Sequence, residues 1–413
     1  MTPLNPNHGI GTLVNHVAEG GDPLCAHIAP IYQTSTFRFP DVDTGAARFR
    51  GEEDGYIYTR YDNPNLRMAA EKIAVLEGLD LLRARPDRPA EETVGARMFA
   101  SGMAAITAAV LARVKSGGVV VAQESLYGAT YNFLRDVAPQ YGIRTAWVKE
   151  PSSQAWEDAL RANPGAALVY AETPVNPTLK VIDLAEAAEA AHRHGAWLMV
   201  DNTFATPFCQ RPLSLRADIV AHATTKYLAG HGVVVGGAVV SPHVDFVDGP
   251  LYANLKIFGG CPSPFDAWLT VLGLKTFELR MQRHCANALA VAQWLETHPK
   301  IERVYYPGLA SRPDHALAAR QMPAGYGGMV SFEVRGGLAA GKALMEAVRV
   351  STLAVSLGNT DSLICHPATM THSNVPPAER LAMGVSDGLV RFSVGIENAE
   401  DLIADLDQAL SGI

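Results

Sequence analysis

The chain has 413 residues, 48% of them apolar and only 18% charged, with 34 Lys and Arg against 42 Asp and Glu for a formal charge of −8. That length allows two or three domains and a core that buries roughly 75% of the unfolded surface. Such apolar content excludes wholesale disorder, and an acidic balance without a basic tract argues against a nucleic-acid partner.

The N-terminal residues show no basic region followed by an apolar one, so no secretory signal is expected. The charge-free stretch Phe99 to Ala112, between Arg97 and Arg113, is too short for the ~20 residues of a membrane span. Five scattered cysteines (Cys25, Cys209, Cys261, Cys285, Cys365) form no CxxC pair and suit a cytoplasmic protein with reduced thiols.

In chain order, residues 1–62 are rich in turn formers and read as an extended N-terminal arm. The spacing of Met68, Ala69, Ile73 and Leu76 predicts a helix over Leu66 to Leu76. Leu79 to Arg97, with six charged residues around Pro86 and Pro89, is expected to be a solvated surface loop. Short apolar runs follow at Val119–Ala122, Thr145–Val148, Leu168–Ala171, Trp197–Val200 and Ile219–Ala221, with helical segments such as Leu184 to His192 between them. This pattern predicts buried parallel strands with crossover helices, a doubly wound α/β domain over residues 63–275. The remainder, 276–413, reads as a smaller α+β domain. A long helix is expected over Pro264 to Leu295. In Leu389 to Ile396, the alternation of Val390, Phe392, Val394 and Ile396 puts Arg391 on the opposite face. Asn398, with Asp401 three residues on, is expected to cap a final helix that turns Leu402, Ile403, Leu406 and Leu410 inward.

Ligands of open α/β sheets gather at the carboxyl ends of the strands. Asp201 follows one apolar run and suits either a protonated ring nitrogen or a metal ion. Lys226 lies just beyond another, where desolvation lowers an amine's pKa and favours Schiff-base chemistry. Ser101-Gly102-Met103 follows the run Met98 to Ala100 and opens an Ala-rich helix whose N–H groups suit a phosphate. Two other features lead nowhere. Gly230-His231-Gly232 and Gly236 flank Val233 to Val235, which read as strand, whereas a dinucleotide loop must open a helix. His192 and His194 lie at a helix end without a third ligand, so no metal is expected. A phosphate-ready helix start, a strand-end Asp and a strand-end Lys form the set that pyridoxal 5'-phosphate needs.

With these residues in view, the sequence resembles the Cys/Met-metabolism family of pyridoxal-phosphate enzymes, which includes methionine γ-lyases, O-acylhomoserine sulfhydrylases and cystathionine synthases and lyases. The likeness runs from Ile31-Tyr32-Gln33-Thr34-Ser35-Thr36-Phe37 to the last helix. It is carried by Tyr58-Thr59-Arg60 with Asn63-Pro64, by Ser101 to Ala105, by Leu126-Tyr127-Gly128, and by Glu172-Thr173-Pro174 with Asn176-Pro177-Thr178. Asp201-Asn202-Thr203, Thr225-Lys226-Tyr227, Ser356-Leu357-Gly358 and Leu389 to Ser393 complete it. The resemblance implies the aspartate-aminotransferase-like fold (fold type I), with a mostly parallel central sheet and a smaller α+β C-terminal domain. It implies Lys226 and Tyr127 as catalytic residues, and a cofactor held by Tyr58, Arg60, Gly102, Met103, Tyr127, Asp201, Thr225 and Lys226. It also implies a substrate site containing Arg391, Ser356, Leu357, Asn176 and Glu172. Tyr58 and Arg60 would serve a neighbouring subunit's site in a homotetramer built as a dimer of dimers.

The chain departs from the family pattern at Ala223, where Ser usually contacts the phosphate, and at Ala129, where methionine γ-lyases often carry Cys. Lys256-Ile257 stands where those enzymes often have Lys-Asp, and Val355 where cystathionine-handling members usually have Glu. Val355 removes a partner for a second amino acid's charged end and argues against cystathionine. The expected activity is γ-elimination or γ-replacement on a sulfur-containing or O-acylated homoserine-type amino acid. Methionine γ-lyase-like cleavage leads, with O-acylhomoserine sulfhydrylase or cystathionine γ-synthase/γ-lyase activity as the alternatives.

Overall fold

Two sheets organise the chain in a computed structural model that describes residues 5–370, 373, 377–382 and 384–413. Residues 1–4 of the expected arm lie outside this set.

The first sheet has seven strands: β1 Gly95–Phe99, β2 Val119–Gln123, β3 Arg144–Val148, β4 Leu168–Glu172, β5 Trp197–Asp201, β6 Ile219–His222 and β7 Gly237–Ser241. Their order is β1-β7-β6-β5-β4-β2-β3. The run from β6 to β3 is parallel throughout, and β7 is antiparallel to both neighbours. Helices cover both faces, so β2, β4 and β6 are buried at every position and β5 at all but its first residue, Trp197, which is why their sequences are mostly apolar rather than alternating. The second sheet comprises β8 Ile301–Tyr305, β9 Met329–Val334, β10 Thr352–Leu353, β11 Leu363–Cys365 and β12 Leu389–Ser393, in the order β10-β11-β12-β9-β8. Its core includes Val330, Phe332, Val390, Phe392, Leu402, Leu406 and Leu410.

Local signals explain the helix ends. Asn63 accepts from the Asn65 N–H and Pro64 occupies the first turn of helix Pro64–Glu77, a favoured start because Pro has no N–H to leave unpaired. Asn63 and Asn65 also tie the arm down: Asn63 Nδ2 donates to Tyr32 O at 2.9 Å, and Asn65 Nδ2 to Pro30 O at 2.8 Å. Two short helices, Ile10–His16 and Val42–Arg50, interrupt the otherwise irregular arm.

Four local expectations are corrected. Leu79 to Arg97 is not a loop; it holds helices Leu79–Ala84 and Ala90–Thr93 and most of β1. Leu79, Leu82 and Val94 are buried there, while the charged residues that suggested solvent occupy the outer side. The helix expected over Pro264 to Leu295 breaks into Pro264–Lys275 and Phe277–Thr297. Buried Arg280 is the cause: its guanidinium donates to the carbonyls of Gly273 at 2.7 Å and Tyr227 at 2.7 Å, so Gly273 O is drawn out of the helical ladder. Val233 to Val235 are not strand. β7 starts at Gly237, because Gly230 and Gly232 adopt φ of +75° and +69° and turn the preceding segment outward. Asn398 does stand at the N-cap of helix Ala399–Ser411, but its side chain makes no cap bond and instead accepts from Arg283 at 3.1 Å.

None of the described helices is long and apolar enough to cross a membrane. His192 and His194 bond carboxylates, Asp218 at 2.8 Å and Glu157 at 3.0 Å.

Candidate active site

The carboxyl ends of β4, β5 and β6 lie side by side, and the register pairs Glu172 with Asp201 and Asp201 with Ala221. Adjacent parallel strands sit ~4.8 Å apart, so two carboxylates are brought together at one sheet edge. β7 enters from the opposite direction, which places Gly236 and Gly237 at the same edge.

Lys226 sits in the loop beyond β6. Its Nζ donates to Ser356 Oγ at 2.7 Å. Burial, aided by the positive charge of Arg391, lowers its pKa from the ordinary lysine value to about 8. Ser356 holds this position at φ +113°, a conformation that strains any residue with a Cβ and is found where function overrides local preference. Its carbonyl accepts from Arg391 Nη2 at 3.1 Å, while Arg391 Nη1 donates to Asn176 Oδ1 at 3.3 Å. Arg391 is only 6% exposed and stands mid-strand in β12, on the face that the alternation assigned to it. A buried guanidinium with two neutral partners retains capacity for an anion. Residues 215 positions apart thus converge on one pocket.

Asp201 accepts from the Thr203 N–H at 3.0 Å, and no ion pair involves it among the described residues. Burial raises its pKa above the usual carboxylate range, the condition that a cationic ring nitrogen would relieve. Glu172, only 4% exposed, is pushed up to about 8 by burial and by the charge of Asp201. The sequence reading put Glu172 in the substrate set; here both its oxygens accept backbone N–H groups, from Tyr127 at 2.8 Å and Asn176 at 3.1 Å.

The turn after β1 forms the third wall. Ser101 Oγ accepts from the Ala104 N–H at 3.0 Å and caps helix Gly102–Arg113. The Gly102 and Met103 N–H groups have no backbone acceptor among the described residues, so the first helical turn offers free donors. Gly102 is required by close approach: a Cβ there would meet Ala223 Cβ at 2.8 Å. At Ala223, where the family usually has Ser, the backbone N–H donates to Thr203 Oγ1 at 2.9 Å. Thr225 does not replace the missing hydroxyl. Its Oγ1 accepts from the Gly236 N–H at 2.9 Å and faces Gly236 O at 3.2 Å. Thr224 Oγ1 is buried without a partner.

The other expected residues stand apart. Tyr127 precedes helix Gly128–Asn132 and is 48% exposed. Tyr58 is 40% exposed, and Arg60 bonds the Lys256 carbonyl and lies over the Tyr61 ring at 4.9 Å. Neither Tyr58 nor Arg60 hydrogen-bonds Lys226, Asp201 or the Ser101 turn among the described residues. Leu357 is buried in the core rather than lining open space. A concavity of about 1450 Å³ runs along the arm and helix Pro64–Glu77 and includes none of Lys226, Asp201 and Arg391.

A buried polar chain behind Asp201 escaped the sequence reading. Asn202 Nδ2 donates to Glu77 Oε1 at 2.7 Å, His222 Nε2 lies 2.5 Å from the same oxygen, and Gln210 Nε2 donates to Asn202 Oδ1 at 3.0 Å. The only signal for it was a His and an Asn at the ends of apolar strands, each next to a residue of the site.

The donor set fits pyridoxal phosphate: a low-pKa amine, an uncompensated buried carboxylate one strand away, and a Gly-cradled helix start with free N–H groups. Comparison with known proteins points the same way. Residues 11–411 match the family described as Cys/Met metabolism PLP-dependent enzyme. An L-methionine gamma-lyase of Porphyromonas gingivalis is 47% identical over 93% of this chain and 92% of its own. An O-succinylhomoserine sulfhydrylase of Pseudomonas aeruginosa is 40% identical over 97% of this chain and 95% of its own. The crystal structure of cystathionine gamma synthase from Xanthomonas oryzae pv. oryzae, in complex with aminoacrylate and cysteine, superposes with a TM-score of 0.89 at 38% identity, covering 98% of each chain.

Proposed function

The chain belongs to the Cys/Met-metabolism family of pyridoxal-phosphate-dependent enzymes, and from that premise we propose that it cleaves methionine by γ-elimination to 2-oxobutanoate, ammonia and methanethiol. One observation carries the reading: Lys226, Ser356, Arg391 and Asn176 form a continuous chain of contacts, bordered by Val355. A carboxylate on Arg391 puts an amino acid's Cα beside the Lys226 amine. Beyond it, apolar Val355 offers nothing to a second charged end and suits a thioether.

Bound pyridoxal phosphate supplies the electron sink that makes the Cα and Cβ protons of the amino acid acidic. The Ser101 to Met103 turn would hold its phosphate. Asp201 would keep its ring nitrogen protonated, and Lys226 would hold its aldehyde. Arg391, steadied by Asn176 and the Ser356 carbonyl, grips the substrate carboxylate through its planar fork. Lys226 would take the Cα proton; its pKa of about 8 leaves roughly a tenth of it as the free amine at pH 7, far more than an ordinary lysine offers. Ser356 Oγ directs that amine. Tyr127 delivers a proton to the departing sulfur, and water converts the remaining four-carbon unit to the oxo acid and ammonia.

Tyr58 and Arg60 complete the site of a second copy in a homotetramer assembled as a dimer of dimers. In support, Tyr58 is exposed and neither side chain hydrogen-bonds Lys226, Asp201 or the Ser101 turn among the described residues. The enzyme is cytoplasmic, in keeping with five free cysteines. Residues 1–62 act as the arm, 63–275 as the cofactor domain and 276–413 as the C-terminal domain, with one sheet on each side of residue 276.

The replacement reaction of the sulfhydrylase relative is the second reading, favoured by that relative's near full-length match. A product assay with methionine, cystathionine and O-acetylhomoserine, each with and without sulfide, decides. 2-Oxobutanoate from methionine alone is expected; product only from the ester with sulfide overturns the lyase.

A further inference from the structure

Glu172 is the last residue of β4, and its backbone is pinned. Its N–H donates to Gln123 Oε1 at 2.9 Å, and its carbonyl accepts from Gln123 Nε2 at 3.1 Å. Its side chain therefore projects from a fixed base. Oε2 accepts from the Tyr127 N–H, 2.8 Å away, and Oε1 from the Asn176 N–H, 3.1 Å away. Neither amide has a backbone acceptor among the described residues. Both belong to irregular backbone, the turn before helix Gly128–Asn132 and the segment between β4 and helix Leu184–Arg193.

The geometry points to Glu172 as a positioning residue that sets both ends of the substrate pocket with one carboxylate, an assignment that rests on the roles given above to Tyr127 and Arg391. At one end it fixes the backbone from which the Tyr127 ring rises. At the other it fixes Asn176, whose Oδ1 holds Arg391 at 3.3 Å. The leaving group and the carboxylate of the bound amino acid thus meet walls aligned through a single side chain.

The residue type follows from the task. A carboxyl group can accept on both oxygens, and the two N–H bonds favour its ionised form against the burial and the Asp201 charge that raise its pKa. A glutamine would accept one N–H and turn its NH₂ against the other. An aspartate, one carbon shorter, keeps the carboxyl group and loses the reach. Burying a carboxyl group is costly, and the two backbone N–H bonds offset part of that cost.

The test uses holoenzyme of Glu172→Gln, with Glu172→Asp as the second variant should the first fold poorly, on the substrate that the product assay selects. Amide exchange at Tyr127 and Asn176 is expected to rise about tenfold or more, while β2 and β5 stay protected and the bound-cofactor absorbance is retained. In steady state kcat falls and KM rises, each roughly tenfold. In a Tyr127→Phe background Glu172→Gln leaves kcat nearly unchanged, and in an Asn176→Ala background it leaves KM nearly unchanged, because the groups it positions are already gone. Unaltered exchange at both amides overturns the inference, as do fully additive effects in both backgrounds when the single variants are themselves impaired. Tyr127→Phe and Asn176→Ala turning over like wild type would instead sink the functional roles on which the inference stands, and the inference with them.

Discussion

The strand-end wall and the arm carry two halves of one proposed site, yet the chain treats them differently. At the wall, Lys226, Ser356, Arg391, Asn176 and Glu172 are bonded to one another by contacts of 2.7 to 3.3 Å. These five side chains each have a partner from their own chain, as burial requires, because an unpaired buried group is expensive. On the arm, Tyr58 is 40% exposed and Arg60 reaches only the Lys256 carbonyl and neighbouring rings. Groups that handle charge on the amino acid are, on the proposed reading, fixed by folding, while the arm pair has no partner in its own chain's wall among the described residues. On the proposed reading, one subunit prepares the chemistry and its neighbour seals it.

The largest effect breaks or sustains that division directly. Lys226→Ala and Arg60→Ala are each expected to lower turnover, by about 10³-fold or more for the lysine, which loses its proton transfer altogether. If the arm serves another copy's wall, an equal mixture refolded together restores about a quarter of wild-type activity, since half the dimers then contain one intact site. Activity measured on the mixture decides it. An arm acting on its own wall gives no recovery at any ratio.

Within the wall, Arg391→Lys comes next. The ammonium is a point charge and cannot span Asn176 Oδ1, the Ser356 carbonyl and a substrate carboxylate together. KM for the amino acid is expected to rise roughly 10- to 100-fold, with a smaller change in kcat. Unchanged KM would show that the substrate carboxylate lies elsewhere.

What could be read from residues alone follows a physical division. β2, β4, β5 and β6 were legible because strands buried on both faces are apolar throughout. Arg391 was placed by alternation, because Val390 and Phe392 must enter the core of the second sheet. Which residues bind and react came from the family resemblance rather than from periodicity. The break at Thr276 was not legible, because its cause is Arg280 reaching carbonyls about fifty residues upstream as well as Gly273 O in the preceding helix. The part played by Glu172 was hidden likewise. Its motif suggested substrate contact, and only the strand register and the path of two loops bring the Tyr127 and Asn176 amides to its oxygens.

A third prediction uses the burial of the wall. Lys226 reacts as the free amine, and its pKa is lowered from 10.5 to about 8. Capture of added pyridoxal phosphate by the cofactor-free chain should therefore speed up with rising pH and level off near 8. Below that value each unit of acidification costs about tenfold in the reactive fraction. Absorbance of the bound cofactor follows the rate. A rise continuing to pH 10 would mean that the amine is solvated like an arm residue.

The smallest effect concerns Ser356, where the wall stores strain. At φ +113° a Cβ is unfavourable and glycine is not, so Ser356→Gly should stabilise the fold by about 1 kcal/mol, less the extra freedom glycine gives the unfolded chain. The same change removes the hydroxyl that accepts from Lys226 Nζ at 2.7 Å, leaving the amine free to swing, so kcat should fall by roughly tenfold. Stability and turnover then move in opposite directions. An ordinary packing residue cannot produce that result, since its loss lowers both. Thermal unfolding and steady-state rates on one preparation separate the two. If Ser356→Gly is less stable and equally active, the positive φ is simply how this loop packs, and the hydroxyl does not steer the lysine.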